Sequence, residues 1–304
     1  MADTSGNNPI QSTDLPLHLL HRGKVRDNYD MGNSILMVTT DRVSAFDVVL
    51  PGAIPDKGRV LAGLSAFWFE KTRHIIRNHL LLLVKEATQL REFFPPDSTP
   101  PACLAGRSLL VRTAQRLPVE WVVRGYLSGS AWAEYSQTGR VGEYDLPSGL
   151  KESQELPAPL FTPTTKEDEG HDMPLTQSEL NELIGEGMAS RLKETSLAVY
   201  RFAHELALEQ GIIIADTKME FGLDGDEPIL IDELLTPDSS RFWDRAAYQP
   251  GKSQPSFDKQ PLRDWLVAQG WNKEPPAPQL EADVVSLTAQ RYREAYHRLT
   301  GQEL

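Results

Sequence analysis

Apolar and polar positions change period several times along the chain, and those changes predict its elements. HLLHRGKVRDNYD (18–30) places a glycine between two extended runs, Met31-Gly32-Asn33 reads as a turn, and SILMVTT (34–40) as a buried strand. After Gly58, residues Val60, Leu61, Leu64, Phe67, Trp68 and Ile75 recur at helical spacing. LLLLV (80–84), SLLVRT (108–113) and VEWVVRGY (119–126) return to strands, and Leu117-Pro118 is placed as a hinge between two lobes. SGSAWAEYSQTG (128–139) predicts a short helix, and Thr176 with Glu179 forms a capping-box pattern opening another. A helix over 187–209 carries Leu192, Val199, Phe202, Ala203 and Leu206 on its inner stripe, and two more are expected near 258–269 and 281–299. Residues 140–174, rich in Pro, Gly and charge, read as one long connection.

ADTKMEFGLDGDEPILIDE (215–233) predicts two short strands around a Gly/Asp turn. Alternation puts Asp216, Lys218 and Glu220 on one face. With Phe221 set against Ile229, Lys218 falls opposite Asp232 and all four charges share that face. Carboxylates crowded around one lysine suit a divalent cation with bound phosphate, the carboxylates holding Mg²⁺ and Lys218 reaching a phosphate oxygen. A solvated hairpin face with cross-strand ion pairs has the same pattern.

Composition narrows the possibilities. The 304 residues suffice for two lobes around a cleft, and 40% hydrophobic with 24% charged residues describes a soluble globular chain. The polar start, MADTSGNNPIQSTD, predicts no signal peptide, and the longest aliphatic run, Leu80 to Val84, is too short to span a bilayer. A single cysteine, Cys103, excludes an internal disulfide or a thiolate metal cluster and fits a cytoplasmic setting. The seven histidines show no zinc-type pairing. A formal charge of -12 disfavours a nucleic-acid polymer as partner but leaves room for small anions held by a local basic cluster.

Such clusters are present. GKVRD (23–27) places Lys24 and Arg26, flanking Val25, on one side of a strand just after a glycine, an arrangement for polyphosphate or an ordinary charged edge strand. No GxxxxGK[ST] or GxGxxG occurs. TTDRVSAFD (39–47) gathers Asp41, Arg42, Ser44 and Asp47 around one turn, as a substrate loop or as a loop closed by its own side chains. VVRGYLSGSAW (122–132) ends a strand at Arg124 and opens a helix at Ser128 and Ser130, a cradle for a phosphomonoester or simply a serine cap. FTPTTKEDEGHD (161–172) carries Lys166 beside acids and His171, and LLTPDSSRFWD (234–244) brings Asp238, Ser239 and Arg241 to one end of the acidic hairpin.

Taken in order, GKVRD, TTDRVSAFD, Lys57-Gly58, EWVVRGYLSGSAW, FTPTTK, ADTKMEFG, IDELLTPDSSRFW and the helical tail resemble the SAICAR synthetase family from about Leu17 to the C-terminus. The length and the 140–174 segment resemble its longer, fungal-type form. The resemblance implies an α+β, two-lobed architecture related to the ATP-grasp and protein-kinase folds. A β-rich lobe (1–116) would cover the ATP phosphates, and a larger lobe (117–304) would carry the metal and ribonucleotide sites. It implies an ATP-dependent ligase joining L-aspartate to CAIR (carboxyaminoimidazole ribonucleotide) through an acyl phosphate, with Mg²⁺ as cofactor. The partners implied are these small molecules alone, with no nucleic acid or membrane and with monomer or homo-oligomer left open.

Carried over by residue, Lys24, Val25, Arg26 and Lys166 belong with ATP, and Glu220 and Asp232 with ATP and magnesium. Arg124, Ser130, Asp238, Ser239 and Arg241 belong with the ribotide, while Asp41, Ser44 and Asp172 belong loosely with L-aspartate. Lys218, Lys166 and Asp216 are the catalytic candidates, Asp216 as base for the aspartate amine. Asn28 stands where the family often has an aliphatic residue. A small-molecule kinase on this fold, or a non-catalytic nucleotide-binding protein, is the alternative, although H-R-D-x-x-x-x-N and D-F-G elements are missing.

Overall fold

A computed structural model describes residues 9–46, 48–166, 172–257 and 259–304. Two compact units emerge, one of Met1–Phe69, His79–Thr113 and Phe257–Leu304, the other of Glu70–Asn78 and Ala114–Ser256. In the first, strands Leu19–Arg22 (β1), Arg26–Asp30 (β2) and Ser34–Thr39 (β3) are followed by a small ribbon, Ser44–Ala45 (β4) with Val48–Val49 (β5). Helix Lys57–Thr72 (α1) comes next, then strands Leu80–Leu83 (β6) and Ser108–Arg112 (β7). The antiparallel sheet runs β1-β2-β3-β7-β6. Its central strand β3 is buried on both sides, which is why SILMVT reads as a continuous apolar run, whereas the edge strand β1 is exposed. Leu36 and Val38 pack with Leu15, Tyr29, Leu90 and Phe94, whereas Met37 meets Ala62 of α1.

Helix α1 starts where it does because Asp41 waits for it. One carboxylate oxygen accepts from the Gly58 N–H at 2.8 Å; the other accepts from Arg107 at 2.9 Å and the Ile10 N–H at 2.7 Å. Only glycine fits at position 58, since a Cβ there would lie 2.2 Å from the Thr39 carbonyl oxygen.

The second unit contains Gln115–Arg116 (β8), Val119–Tyr126 (β9), helix Gly129–Thr138 (α2), Arg140–Val141 (β10) and Tyr144–Asp145 (β11). There follow Glu155–Phe161 (β12), Thr164–Thr165 (β13), helices Gln177–Ile184 (α3) and Glu186–Glu209 (α4), and strands Ile212–Asp224 (β14), Glu227–Ile231 (β15) and Ser240–Asp244 (β16). The sheet is ordered β12-β9-β14-β15, with β13 on β9 and both β8 and β16 on β14. Residues 140–174 are thus not one long connection. Pro157 and Pro159 argue against a central strand, but β12 is an edge strand with a register shift between Glu155 and Leu160, where missing donors are tolerated. The Thr176–Glu179 capping box forms as expected, the Glu179 carboxylate accepting from the Thr176 N–H at 2.8 Å.

Helices Gln260–Ala268 (α5) and Ala282–Thr300 (α6) end the chain. The expected division at 116/117 placed them with the second lobe; they group instead with the first unit. Leu262, Leu266, Leu280 and Ala289 bury their side chains with Val43, Ala45, Leu50 and Ile54, each large aliphatic contributing about 2 kcal/mol. Gly63 lets Tyr296 approach α1, for a Cβ there would sit 2.7 Å from its ring. Leu117-Pro118, expected as a hinge, lies inside the second unit, with the Leu117 N–H bonded to the Phe221 carbonyl at 2.9 Å. Among the described residues no helix is long and apolar enough to cross a membrane.

Candidate active site

The acidic hairpin forms, one register step away from expectation. Phe221 pairs with Leu230 and Glu220 with Ile231, because the turn is only two residues long, with Gly225 at φ +65° supplying its tight reversal. Strict alternation from this register would turn Asp232 away from Glu220. The chain leaves the strand at Ile231, however, and Asp232 adopts φ +67°, a left-handed conformation that Asp tolerates better than most residues. Its charge acts on Glu220 all the same. Burial first, and then Asp232, push the Glu220 carboxyl up to about 7 against the opposing pull of Lys166.

On its other side β14 pairs with β9, Asp216 opposite Arg124 and Lys218 opposite Val122. One face of this pair therefore bears Asp216, Lys218 and Glu220 from β14 beside Glu120, Val122 and Arg124 from β9. Arg241 joins from β16, where it stands opposite Asp216. The polar row divides into two groups.

At one end, a single Asp216 oxygen accepts from Arg241 and lies 3.6 Å from an Arg124 nitrogen. Arg124 also donates to Thr162 at 2.9 Å and to the Ser130 hydroxyl at 3.3 Å. Burial lowers the Arg124 pKa, partly opposed by Asp216, but an arginine starts so far above neutrality that it stays charged. Arg241 lies against the start of α2: a Cβ on Gly129, which sits at φ +57°, would come within 2.2 Å of the guanidinium. Two guanidiniums, an exposed serine and the N–H groups opening α2 form a cluster of donors whose chemistry suits an anion. The same contacts revise the expectation for Asp216. That oxygen, engaged by two arginines, is poorly placed to take a proton from an amine, and its contacts draw the two guanidiniums together.

At the other end stands Glu120, buried, a residue the motif reading passed over. One of its oxygens accepts from Lys166 at 2.7 Å and from Lys218 at 2.8 Å. Lys166 also pairs with Glu220 at 2.9 Å. Burial pushes the Glu120 carboxyl up, yet Lys218 and Lys166 outweigh it and hold it below its ordinary value. Burial opposes the charge on both lysines, but Glu220 and Glu120 raise Lys166 and Glu120 raises Lys218, so both stay ammonium ions. The strand period in EWVVR carried the signal, since a step of two from Arg124 passes Val122 and reaches Glu120.

The remaining candidates scatter more widely. Ser239 is buried, bonded through its hydroxyl to the Thr236 N–H at 3.1 Å, and Asp238 is half-buried, its N–H on the Thr236 hydroxyl at 3.1 Å. Both belong to the turn that leads into β16 and Arg241. In the first unit Lys24 is exposed, Val25 buried and Arg26 half-buried at the start of β2, after a turn closed by the Gly23 N–H on the Arg26 carbonyl at 2.8 Å. Arg42 braces that turn, donating to the carbonyls of Gly23 (2.9 Å), Lys24 (3.2 Å) and Arg26 (3.2 Å) and to the buried Asp27 carboxylate (2.8 Å). Asp41, expected near L-aspartate, is fully buried with both oxygens occupied, so it is a structural cap. Ser44 is half-buried in β4, and Asp172 is exposed ahead of α3. Asp47 and His171 lie outside the described residues.

A family model described as SAICAR synthetase matches residues 19–278. The chain is 50% identical over 295 residues to the phosphoribosylaminoimidazole-succinocarboxamide synthase of Thermodesulfovibrio yellowstonii, covering 97% of this chain and 99% of the relative. It is 52% identical over 297 residues to the synthase of the same name from Thioalkalivibrio sulfidiphilus, covering 96% and 98%. A solved structure described as SAICAR-synthase from Saccharomyces cerevisiae complexed with SAICAR superimposes with a TM-score of 0.87 at 44% identity, over 97% of this chain and 99% of that one. The long form expected to be fungal-type is thus shared with bacterial relatives. The chain belongs to the SAICAR synthetase family.

Proposed function

We propose that the polar face shared by β9, β14 and β16 is where the two substrates are joined, Arg124 and Arg241 holding the ribotide phosphate while Lys166, Lys218, Glu120, Glu220 and Asp232 manage the transferred phosphoryl group. As a member of its family the chain is an ATP-dependent ligase that joins L-aspartate to CAIR, giving SAICAR, ADP and phosphate in purine biosynthesis. The observation carrying the site assignment is the sharing of one sheet face by a double-arginine anion grip and a separate lysine–carboxylate cluster.

Chemistry explains why both ends are needed. A carboxylate resists attack by an amine until one of its oxygens has been phosphorylated. In this reading a CAIR carboxylate oxygen takes the γ-phosphoryl group of ATP and ADP departs; the L-aspartate amine then attacks the acyl carbon and phosphate leaves. Lys166 and Lys218, both charged and both tethered by Glu120, are suited to balance the negative charge that builds on the phosphoryl oxygens.

Glu220 and Asp232 fit Mg²⁺. Asp232 is close enough to raise the Glu220 carboxyl, a repulsion that a divalent cation relieves, and Mg²⁺ accepts one or two carboxylates while leaving positions for water and nucleotide phosphate. Among the described residues no cluster of three or more His, Cys, Asp or Glu suits a metal, so these two carboxylates would hold it with the nucleotide. Bound there, Mg²⁺ would neutralise charge on the ATP phosphates.

Lys24, Val25 and Arg26 are assigned to ATP on the resemblance of GKVRD, as is the two-lobed, kinase-like description of the fold. Ser44 and Asp172 remain the assignment for L-aspartate, without Asp41. CAIR labelled with ¹⁸O in its carboxylate tests the route: the acyl phosphate requires one labelled oxygen in the released phosphate, and unlabelled phosphate would exclude it.

A further inference from the structure

Behind the double-arginine grip, the strands that carry it part company. Pairing between β14 and β9 ends at Asp216 opposite Arg124. On the opposite edge of β14 the register to β16 slips by one residue between Ile214 and Asp216, the mark of a β-bulge at Ala215. A bulge leaves backbone groups without ladder partners, and buried ones must find others.

Two side chains of α4 supply them. The Tyr200 hydroxyl, fully buried, donates to the Ile214 carbonyl at 2.7 Å and lies against Gly125 of β9. It therefore bonds to β14 and packs against β9 at the point where they open. His204, one helical turn further along and stacked on the Tyr200 ring at 5.6 Å, places its Nδ1 3.2 Å from the same carbonyl. The wedge leaves no slack, for a Cβ on Gly125 would lie 2.0 Å from the Tyr200 oxygen. Gly125 adjoins Arg124, and Ala215 adjoins Asp216, so the opening is bounded by the residues that aim both guanidiniums.

We propose that Tyr200 and His204 are positioning residues for the ribotide, their shared hydrogen bonds to the Ile214 carbonyl holding the β9–β14 opening that directs Arg124 and Arg241 at the substrate phosphate. Neither side chain touches substrate; both act through the backbone on either side of the grip. The proposal rests on the assignment of these arginines to the ribotide phosphate, and its test separates the two.

Steady-state kinetics of the full-length enzyme would compare Tyr200→Phe, His204→Phe and His204→Asn with Arg241→Met. Losing the hydroxyl's bond to the Ile214 carbonyl should raise KM for CAIR about tenfold, the effect of roughly one buried hydrogen bond, while kcat and KM for ATP stay within about twofold. His204→Phe should raise KM for CAIR less, and His204→Asn, which keeps a donor, should recover most of it. A purely structural role would lower the active fraction and thermal stability without moving KM for one substrate. If Tyr200→Phe fails to fold, the His204→Phe and His204→Asn pair carries the test. An unchanged KM for CAIR in Tyr200→Phe and His204→Phe, with a raised one in Arg241→Met, overturns the positioning role alone. An unchanged KM for CAIR in Arg241→Met removes the arginine assignment, and the positioning role with it.

Discussion

Replacing Glu120 by Gln keeps the shape of the side chain and deletes the charge shared by Lys166 and Lys218. Each contact, at 2.7 and 2.8 Å, is worth on the order of 6 kcal/mol gross at an effective dielectric constant of about 20. Relief from burying the carboxylate offsets much of that. Lys166 retains Glu220, and the Lys218 side chain is 42% exposed, so solvent screens its share. Breaking a buried pair costs about 3–5 kcal/mol, and with these discounts the net loss should be about 3 kcal/mol. Thermal denaturation should register a fall in Tm of about 5 °C, and kcat should drop at least about a hundredfold as the ammonium groups separate. The sign with pH follows from the lowered Glu120 pKa. Its contribution is present above the unfolded carboxyl value and is lost as pH falls through the folded one, so the stability gap between Glu120→Gln and wild type should close in acid. The decisive comparison is a double-mutant cycle with Lys166→Met. Coupling of at least about 1 kcal/mol is expected, and effects that add within about 0.5 kcal/mol would refute the shared-charge argument.

Gly129→Ala should force Arg241 away from Asp216, raising KM for CAIR about tenfold with little change in KM for ATP, as initial-rate kinetics would show. Arg42→Met leaves four carbonyls, that of Gln11 included, and Asp27 without this donor; chemical denaturation should reveal a loss of about 3 kcal/mol, and KM for ATP should rise if Lys24 and Arg26 grip its phosphates. Because Glu220 is raised to about 7, the folded state takes up a proton more readily than the unfolded chain, so this group weakens the fold as pH climbs from about 4.5 to 7. Metal needs the deprotonated form, so Mg·ATP titrations by calorimetry should show affinity rising with pH through about 7, and Glu220→Gln should abolish that rise.

Much of this organisation was legible in the sequence because it depends on local period. Alternation placed Asp216, Lys218 and Glu220 together, and the apolar spacing after Gly58 and over 187–209 marked the helices now seen as α1 and α4. What escaped depends on partners distant in the chain. Glu120 looked like one acid on an apolar strand until β9 was laid against β14. The hairpin register turned on whether the Gly225 turn used two or three residues, and Asp232 reaches Glu220 only through a left-handed residue that ends strand alternation. β12 was hidden by prolines that an edge strand tolerates, and the grouping of α5 and α6 was decided by aliphatic surfaces around Val43 and Ile54. Asp41 illustrates the opposite error: a carboxylate in a polar loop motif proved to be the cap of a helix beginning at Lys57.

Comparing CAIR with its 5′-dephosphorylated ribonucleoside, in wild type and in Arg241→Met, tests the central assignment most directly. Wild type should favour CAIR at least about a hundredfold in kcat/KM, in line with charge-assisted bonds from two guanidiniums, and Arg241→Met should shrink that preference to a few-fold by weakening CAIR alone. An equal loss for both compounds, with the preference intact, would place the substrate phosphate elsewhere and contradict the account.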